Sequence, residues 1–259
     1  MENSYFLALF FFLVAIFYSS VGFGGGSSYL AILVIAGVDI YLLRSTALMC
    51  NIIVVSGGTY IFYREGYLNL RKAVPLVMAS VPMAFLGGYL PLRAAAILIL
   101  LGFSLLLASI LLWFKDARTA QEGKSTDNST KTAGLIGGGI GLLSGMVGIG
   151  GGIFLSPILN LINWSKAKNI AAIASFFILV NSIAGLAGQW MQHSPNVDLN
   201  WAWPLLLAVF LGGQIGSRLA VKKFDSAIIR RTTAVLILIA SMKILNDHLF
   251  HFEEWLSGL

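Results

Sequence analysis

Val21-Gly22-Phe23-Gly24-Gly25-Gly26 recurs 126 residues later as Val147-Gly148-Ile149-Gly150-Gly151-Gly152, and each copy separates one apolar run from a second, shorter one. The run after the first copy is residues 27–38. At ~1.5 Å per residue it would extend about 18 Å as a helix, against a hydrocarbon core about 30 Å thick. The run after the second copy, residues 153–162, is shorter still. A glycine cluster that ends one helix and starts a short one predicts a helical hairpin that enters the protein and turns back.

A second recurrence lies outward from the first. Leu86-Gly87-Gly88-Tyr89-Leu90-Pro91-Leu92-Arg93 parallels Leu211-Gly212-Gly213-Gln214-Ile215-Gly216-Ser217-Arg218 at an offset of 125. Between the paired elements stand Asn51 with Ser56 in one half and Asn181 with Ser182 in the other; the serines keep the 126 offset and the asparagines do not. The pattern is two repeats, each a glycine-broken hairpin followed by three spanning helices. Residues 1–114 form the first repeat and 133–259 the second. The polar stretch 115–132 joins them and is the only linker-like segment.

Composition fixes the solvent. The 259 residues are 58% hydrophobic and 11% charged, with mean hydropathy +0.85. A soluble domain carries about a quarter charged residues. The apolar runs at 5–21, 27–38, 44–63, 73–90, 94–114, 133–147, 153–162, 169–191, 201–221 and 228–245 all read as helices, with no barrel-like alternation. The expected fold is an all-α, multi-pass membrane protein. The start, Met1-Glu2-Asn3-Ser4, lacks the positive n-region of a signal peptide, so the first apolar run is expected to be retained.

Charge gives topology. Three crossings per repeat is odd, and a hairpin adds an even number, so the second repeat should be inverted. With that arrangement the 17 Lys and Arg divide 14 to 3, the minority side holding Arg44, Arg93 and Lys243. Cytoplasmic loops carry the excess. Both termini are then expected outside and the linker 115–132 in the cytoplasm, in the cell's inner membrane. The net charge of +6 is accounted for by four separate loops, not by the clustered patch that nucleic acid requires.

A helix that begins after a glycine run presents free N–H groups and a positive dipole end, which suits an anion. Inverted-repeat transporters use broken helices in this way. The eleven acidic residues all fall in loops or at termini, unlike the intramembrane carboxylates of proton and cation pumps. Candidate ligand groups are therefore backbone amides and neutral side chains: Ser20, Gly24, Gly25, Gly26, Ser27, Asn51 and Ser56 in one half, and Gly150, Gly151, Gly152, Ser175, Asn181 and Ser182 in the other. Ser27 and Ser28 are placed to cap the first short helix or bind the ligand. Ser156-Pro157 resembles an N-cap and N1 proline, predicting a later start for the second. Arg93 and Arg218, paired by the repeat, are candidates for drawing the anion to opposite mouths. Gly137, Gly141 and Gly145 have the spacing of close helix packing.

Cys50 is the only cysteine, and His193, His248 and His251 have no partner at ligand spacing, so neither a metal nor a cofactor is expected. An intramembrane protease would need paired acids or a serine–histidine pair within the helices, and none is there.

The twin G-x-GGG turns, the GG-x4-R elements and the two-repeat layout, from about Phe11 to Leu245, resemble the TauE/SafE sulfite exporter family. The second turn, with Ser156-Pro157, is the more typical copy. The first ends in Ser27-Ser28 and lacks the proline. The resemblance implies export of sulfite, sulfoacetate or a related organosulfur anion across the cytoplasmic membrane. An anion channel, or a carrier for another small anion, shares the same expected site; a non-transporting scaffold would not need it.

Overall fold

The computed structural model describes residues 2–20, 22–114, 130–162, 164–192 and 199–220, and short pieces between 234 and 246. The described residues are helical, without strands. In chain order the helices are α1 (Glu2–Ser19), α2 (Gly26–Ile35), α3 (Ile40–Arg64), α4 (Leu70–Tyr89), α5 (Ala94–Phe114), α6 (Thr130–Val147), α7 (Gly152–Leu161), α8 (Ala167–Gln192) and α9 (Leu199–Ala220). Four of them, α3, α4, α8 and α9, hold stretches long and apolar enough to cross a membrane. Most of the expected linker and of the last apolar run lies outside the described residues; the end of the linker, Thr130-Lys131-Thr132, is already the first turn of α6.

Local signals set the helix ends. Asp39 caps α3 by accepting from Tyr41 N at 3.0 Å and Leu42 N at 3.3 Å, so α3 begins four residues before the apolar run that starts at Arg44. Asn69 caps α4 through Lys72 N at 3.3 Å. Glycines with positive φ end α2 at Gly37 (+72°) and the turn after α3 at Gly66 (+72°).

The heaviest packing crosses between the halves: α1 lies on α9, and α4 on α6 and α8. Glycine makes both seams. Methyl groups placed on Gly137, Gly141 and Gly145 of α6 would strike the carbonyl oxygens of Leu76, Ser80 and Ala84 on α4. Gly212 and Gly216 of α9 meet Phe12 O and Ile16 O of α1 in the same way. Residue numbers rise together along each seam, so α6 runs with α4, and α9 with α1. Ser45–Gln189 at one end and Thr59–Ser175 at the other show that α3 and α8 run oppositely. The expected packing role of the α6 glycines is what forms. Gly141→Leu is expected to split the α4–α6 seam, at a cost of about 1–3 kcal/mol for an overpacked core. The check is the unfolding temperature in detergent, where an unchanged value would contradict so tight a seam.

Candidate functional site

Both glycine clusters break the helix. Gly22 has φ +82° and Gly25 +90°; Gly148, Gly150 and Gly151 have +88°, +85° and +81°. Such left-handed steps are routine only for glycine. The Gly25 carbonyl accepts from Ser28 N and Tyr29 N, each at 3.0 Å, and the Gly151 carbonyl accepts from Phe154 N and Leu155 N, each at 3.1 Å. The two short helices thus start at equivalent glycines, Gly26 and Gly152. This corrects two expectations. No serine side chain caps α2: its N-cap is Gly25, and Ser28 Oγ lies 2.7 Å from the Tyr18 hydroxyl instead. Nor does α7 start late: the left-handed pair Gly150-Gly151 nucleates it at Gly152, which leaves Pro157 inside the helix. There the proline removes only the N–H that would reach Ile153 O.

The turns come together around one side chain. Asn51, fully buried on α3, donates Nδ2–H to Ile149 O of the second turn at 2.9 Å. The same amide fills the space beside Gly24 and Gly26 of the first turn, and a methyl on Gly150 would lie 2.7 Å from its Nδ2. The bond to a carbonyl fixes which end is nitrogen, and Asn51 Oδ1 is left without a partner. Ser182 Oγ, buried and also without a partner, lies 2.9 Å from that methyl position. Ile178 of α8 touches both turns, at Gly24 and Gly150. Val14 faces Gly25 much as Ile140, 126 residues on, faces Gly151.

The other expected ligands are placed differently. Asn181 is buried, but its Nδ2 bonds Phe177 O at 2.9 Å in its own helix and does not cross between halves. Ser56 is exposed on α3 and bonds Ile52 O. Ser20 bonds Phe17 O at 2.6 Å at the end of α1. Ser175 sits between α3 and α8, 3.0 Å from Thr59 Oγ1. Ser27 is buried in the first turn of α2. Arg93 is exposed just before α5, and Arg218 is exposed near the end of α9.

Arg218 belongs to a cavity. Between α3 and α9 a space of about 530 Å³ is lined by Gly57, Tyr60, Ile61, Arg64, Glu65, Gln214 and Arg218. Arg218 Nη1 donates to Gln214 O at 3.4 Å, and the Arg64 guanidinium stands 5.9 Å over the Tyr60 ring. A small apolar cluster separate from the main core, Tyr18, Phe23, Val55, Ala174 and Ile178, includes Val55, which stands on α3 between Asn51 and Gly57 of the cavity.

Sequence reading missed Arg44. The run 44–63 puts Arg44 at the first position of its helix, but the Asp39 cap starts α3 at Ile40 and draws Arg44 a full turn inside, where it is 2% exposed. Its Nη2 donates to Gly145 O at 3.1 Å, its Nε has no partner, and its stem packs on Gly148. The signal was available: an Asp followed by an apolar run marks a helix start. Among the described residues no group of His, Cys, Asp or Glu has the makings of a metal site.

The chain has relatives among known proteins. The chain is 33% identical over 247 residues to the probable membrane transporter protein y4hK of Sinorhizobium fredii, covering 92% of this chain and 97% of that one. It is 24% identical to the probable membrane transporter protein ORF9 of a Sinorhizobium species, over 94% of this chain and 93% of that one. To the probable membrane transporter protein MamO of Paramagnetospirillum magneticum it is 24% identical, over 76% of this chain and 37% of that longer one. No solved structure matches it. The family model of the sulfite exporter TauE/SafE matches residues 7–244; with glycine-broken helices meeting inside a multi-pass helical bundle, the chain belongs to the TauE/SafE family of membrane transporters.

Proposed function

We propose that the protein exports a small sulfur oxyanion, sulfite or an organosulfonate such as sulfoacetate, through a site where the two glycine turns meet at Asn51. That meeting is the observation that carries the reading. Two helix N-termini contribute about half a positive charge each, together the complement of one negative charge. Their first N–H groups have no partner within the helix. No carboxylate stands beside the turns among the described residues, and the side chains at Gly24, Gly26 and Gly150 are neutral, so an anion meets donors without a fixed ion pair to break.

The helix directions support an inverted repeat. Val54, Gly57 and Gly58 of α3 meet Gly213, Gln214 and Ser217 of α9 in rising order, and Lys72 at the start of α4 bonds Trp164 O just before α8. Thus α1, α3 and α9 run one way, α4, α6 and α8 the other, and α1, α3 and α4 each oppose the helix 126 residues on. Residues 1–114 and 133–259 are then the two units, and the positive-inside rule puts the Arg64–Arg218 end and the joining segment in the cytoplasm. Arg64 and Arg218 gather the anion from that side. An apolar cluster that reaches α3 between Asn51 and the cavity, at Val55, suits a carrier that opens on one side at a time better than a continuously open channel.

Export needs no coupled cation. An inside-negative potential of about 100 mV is worth roughly 2.3 kcal/mol per charge, or about a 50-fold gradient for a monovalent anion. Proteoliposomes loaded with sulfite and held inside-negative by a potassium diffusion potential, without proton or sodium gradients, are expected to release it. Release that needs a proton gradient at clamped voltage would disprove the uniport; no protein-dependent release of any sulfur oxyanion would remove the export function.

A further inference from the structure

Arg44 stands apart from every other cation in the described structure. It is 2% exposed within a membrane-spanning helix, and a guanidinium does not shed its proton to escape that environment. Among the described residues no carboxylate pairs with it. The nearest acid along the chain, Asp39, is exposed and spends its Oδ1 on Tyr41 N and Leu42 N. A carbonyl dipole, Gly145 O, takes one of its five N–H groups. That contact alone would make Arg44 a cap for the end of α6. The dipole at that helix end answers about half of the charge, and a buried charge left half answered is still unfavourable.

Several buried polar groups on the elements around Arg44 lack partners, the Thr46 hydroxyl among them. Arg44 Nε and Gln189 Nε2 are both buried and without partners. The Gln189 amide lies against the start of α3, because the neighbour of Arg44, Ser45, donates to Gln189 Oε1 at 3.1 Å. Ser144, adjacent in sequence to Gly145, has a buried hydroxyl without a partner. Arg44 Nε and Gln189 Nε2 can only donate, and a buried cation among unpaired donors is suited to an acceptor that carries negative charge. The stem of Arg44 packs on Gly148, so this cation belongs to the second turn. Residue 170, its counterpart in the other repeat, is Ile170, so nothing equivalent serves the first.

We infer that Arg44 is the fixed charge that sets the valence of the transported anion, tuning the site for divalent oxyanions over monovalent ones. The inference rests on the anion site proposed above. The two helix ends answer one negative charge, and Arg44 answers a second. Asn51 lies seven residues further along α3, about 10 Å at ~1.5 Å per residue. At that distance and an effective dielectric near 20, a unit charge changes a monovalent anion's affinity roughly tenfold and a divalent anion's roughly a hundredfold.

The test is binding to the purified full-length protein in detergent at constant ionic strength, with sulfate and methanesulfonate as probes. Their charges stay fixed near neutral pH. Wild-type protein is expected to bind sulfate at least tenfold more tightly. Arg44→Gln is expected to lose about a hundredfold for sulfate and tenfold for methanesulfonate, erasing the preference, while Arg44→Lys retains it. A purely capping role predicts the reverse: a lower unfolding temperature for Arg44→Gln with the sulfate preference intact, and that result overturns the inference while leaving the anion site standing. If Arg44→Gln does not fold, Arg44→Met keeps the stem against Gly148 and serves in its place. The wild-type ratio is a further check, since a preference for methanesulfonate sinks the inference without any variant. Failure of the wild type to bind either probe counts against the anion site itself, and the inference falls with it.

Discussion

Asn51→Asp is expected to stop transport at neutral pH, with a loss of a hundredfold to a thousandfold, while the protein still folds and inserts. The change is nearly isosteric, so the contacts with Gly24, Gly26 and Gly150 keep their shape. Two things change. An ionised carboxylate turns an acceptor toward Ile149 O, where Nδ2 had donated. It also sets a negative charge beside the proposed anion. At about 4 Å and an effective dielectric near 20, that repulsion is on the order of 4 kcal/mol, close to a thousandfold. Asn51→Ala removes a neutral hydrogen bond worth about 1 kcal/mol and should cost nearer tenfold. The two variants also separate by pH. Once protonated, the introduced carboxyl group regains a donor for Ile149 O and sheds its charge, so activity should return as pH falls. The alanine variant should show no such recovery. Efflux of an organosulfonate whose charge is constant over the range makes the comparison clean. Wild-type rates in Asn51→Asp would show that the anion does not pass between the turns.

Much of this centre is legible in the sequence. The duplicated glycine clusters, the short helices after them and the packing glycines of α6 depend on what glycine alone permits, close backbone approach and positive φ, and these leave a mark in the sequence. The asparagines show where legibility stops. Asn51 and Asn181 occupy similar helices, yet only Asn51 reaches across. Its side chain points at the turns because α3 lies against both, whereas Asn181 bonds back to Phe177. Side-chain direction across a helix interface is set by tertiary packing, which a one-dimensional offset does not encode. The serines make the same point: Ser56 and Ser182 keep the 126 offset, yet one is exposed and the other fully buried. Arg44 was missed for a different reason. Hydropathy starts the helix at Arg44 itself, at its exposed end, and only the Asp39 cap moves that start back to Ile40 and buries the guanidinium one turn inside. The expected features at residues 115–129 and 247–259 lie outside the described residues.

Gly150→Ala should be nearly as damaging to transport as Asn51→Asp, and a paired control identifies the cause. At Gly150 the backbone holds φ +85°, and forcing an L-residue into the left-handed region costs roughly 1–2 kcal/mol. The new methyl would also lie 2.7 Å from Asn51 Nδ2, 2.9 Å from Ser182 Oγ and 3.0 Å from Ile178 Cγ2. Neither Asn51 nor Ile178 has room to retreat, because each is held against both turns. Gly37 shares the backbone strain, with φ +72°, but a methyl there meets nothing within 4 Å. Gly37→Ala should therefore lower the unfolding temperature modestly and leave transport near wild type. Gly150→Ala should lower stability by at least as much and cut sulfite efflux more than a hundredfold. If both variants lost transport only in proportion to the folded protein remaining, Gly150 would be a structural turn like Gly37. If Gly150→Ala alone fails in folded, inserted protein, the steric closure of the space shared with Asn51 is what stops the anion.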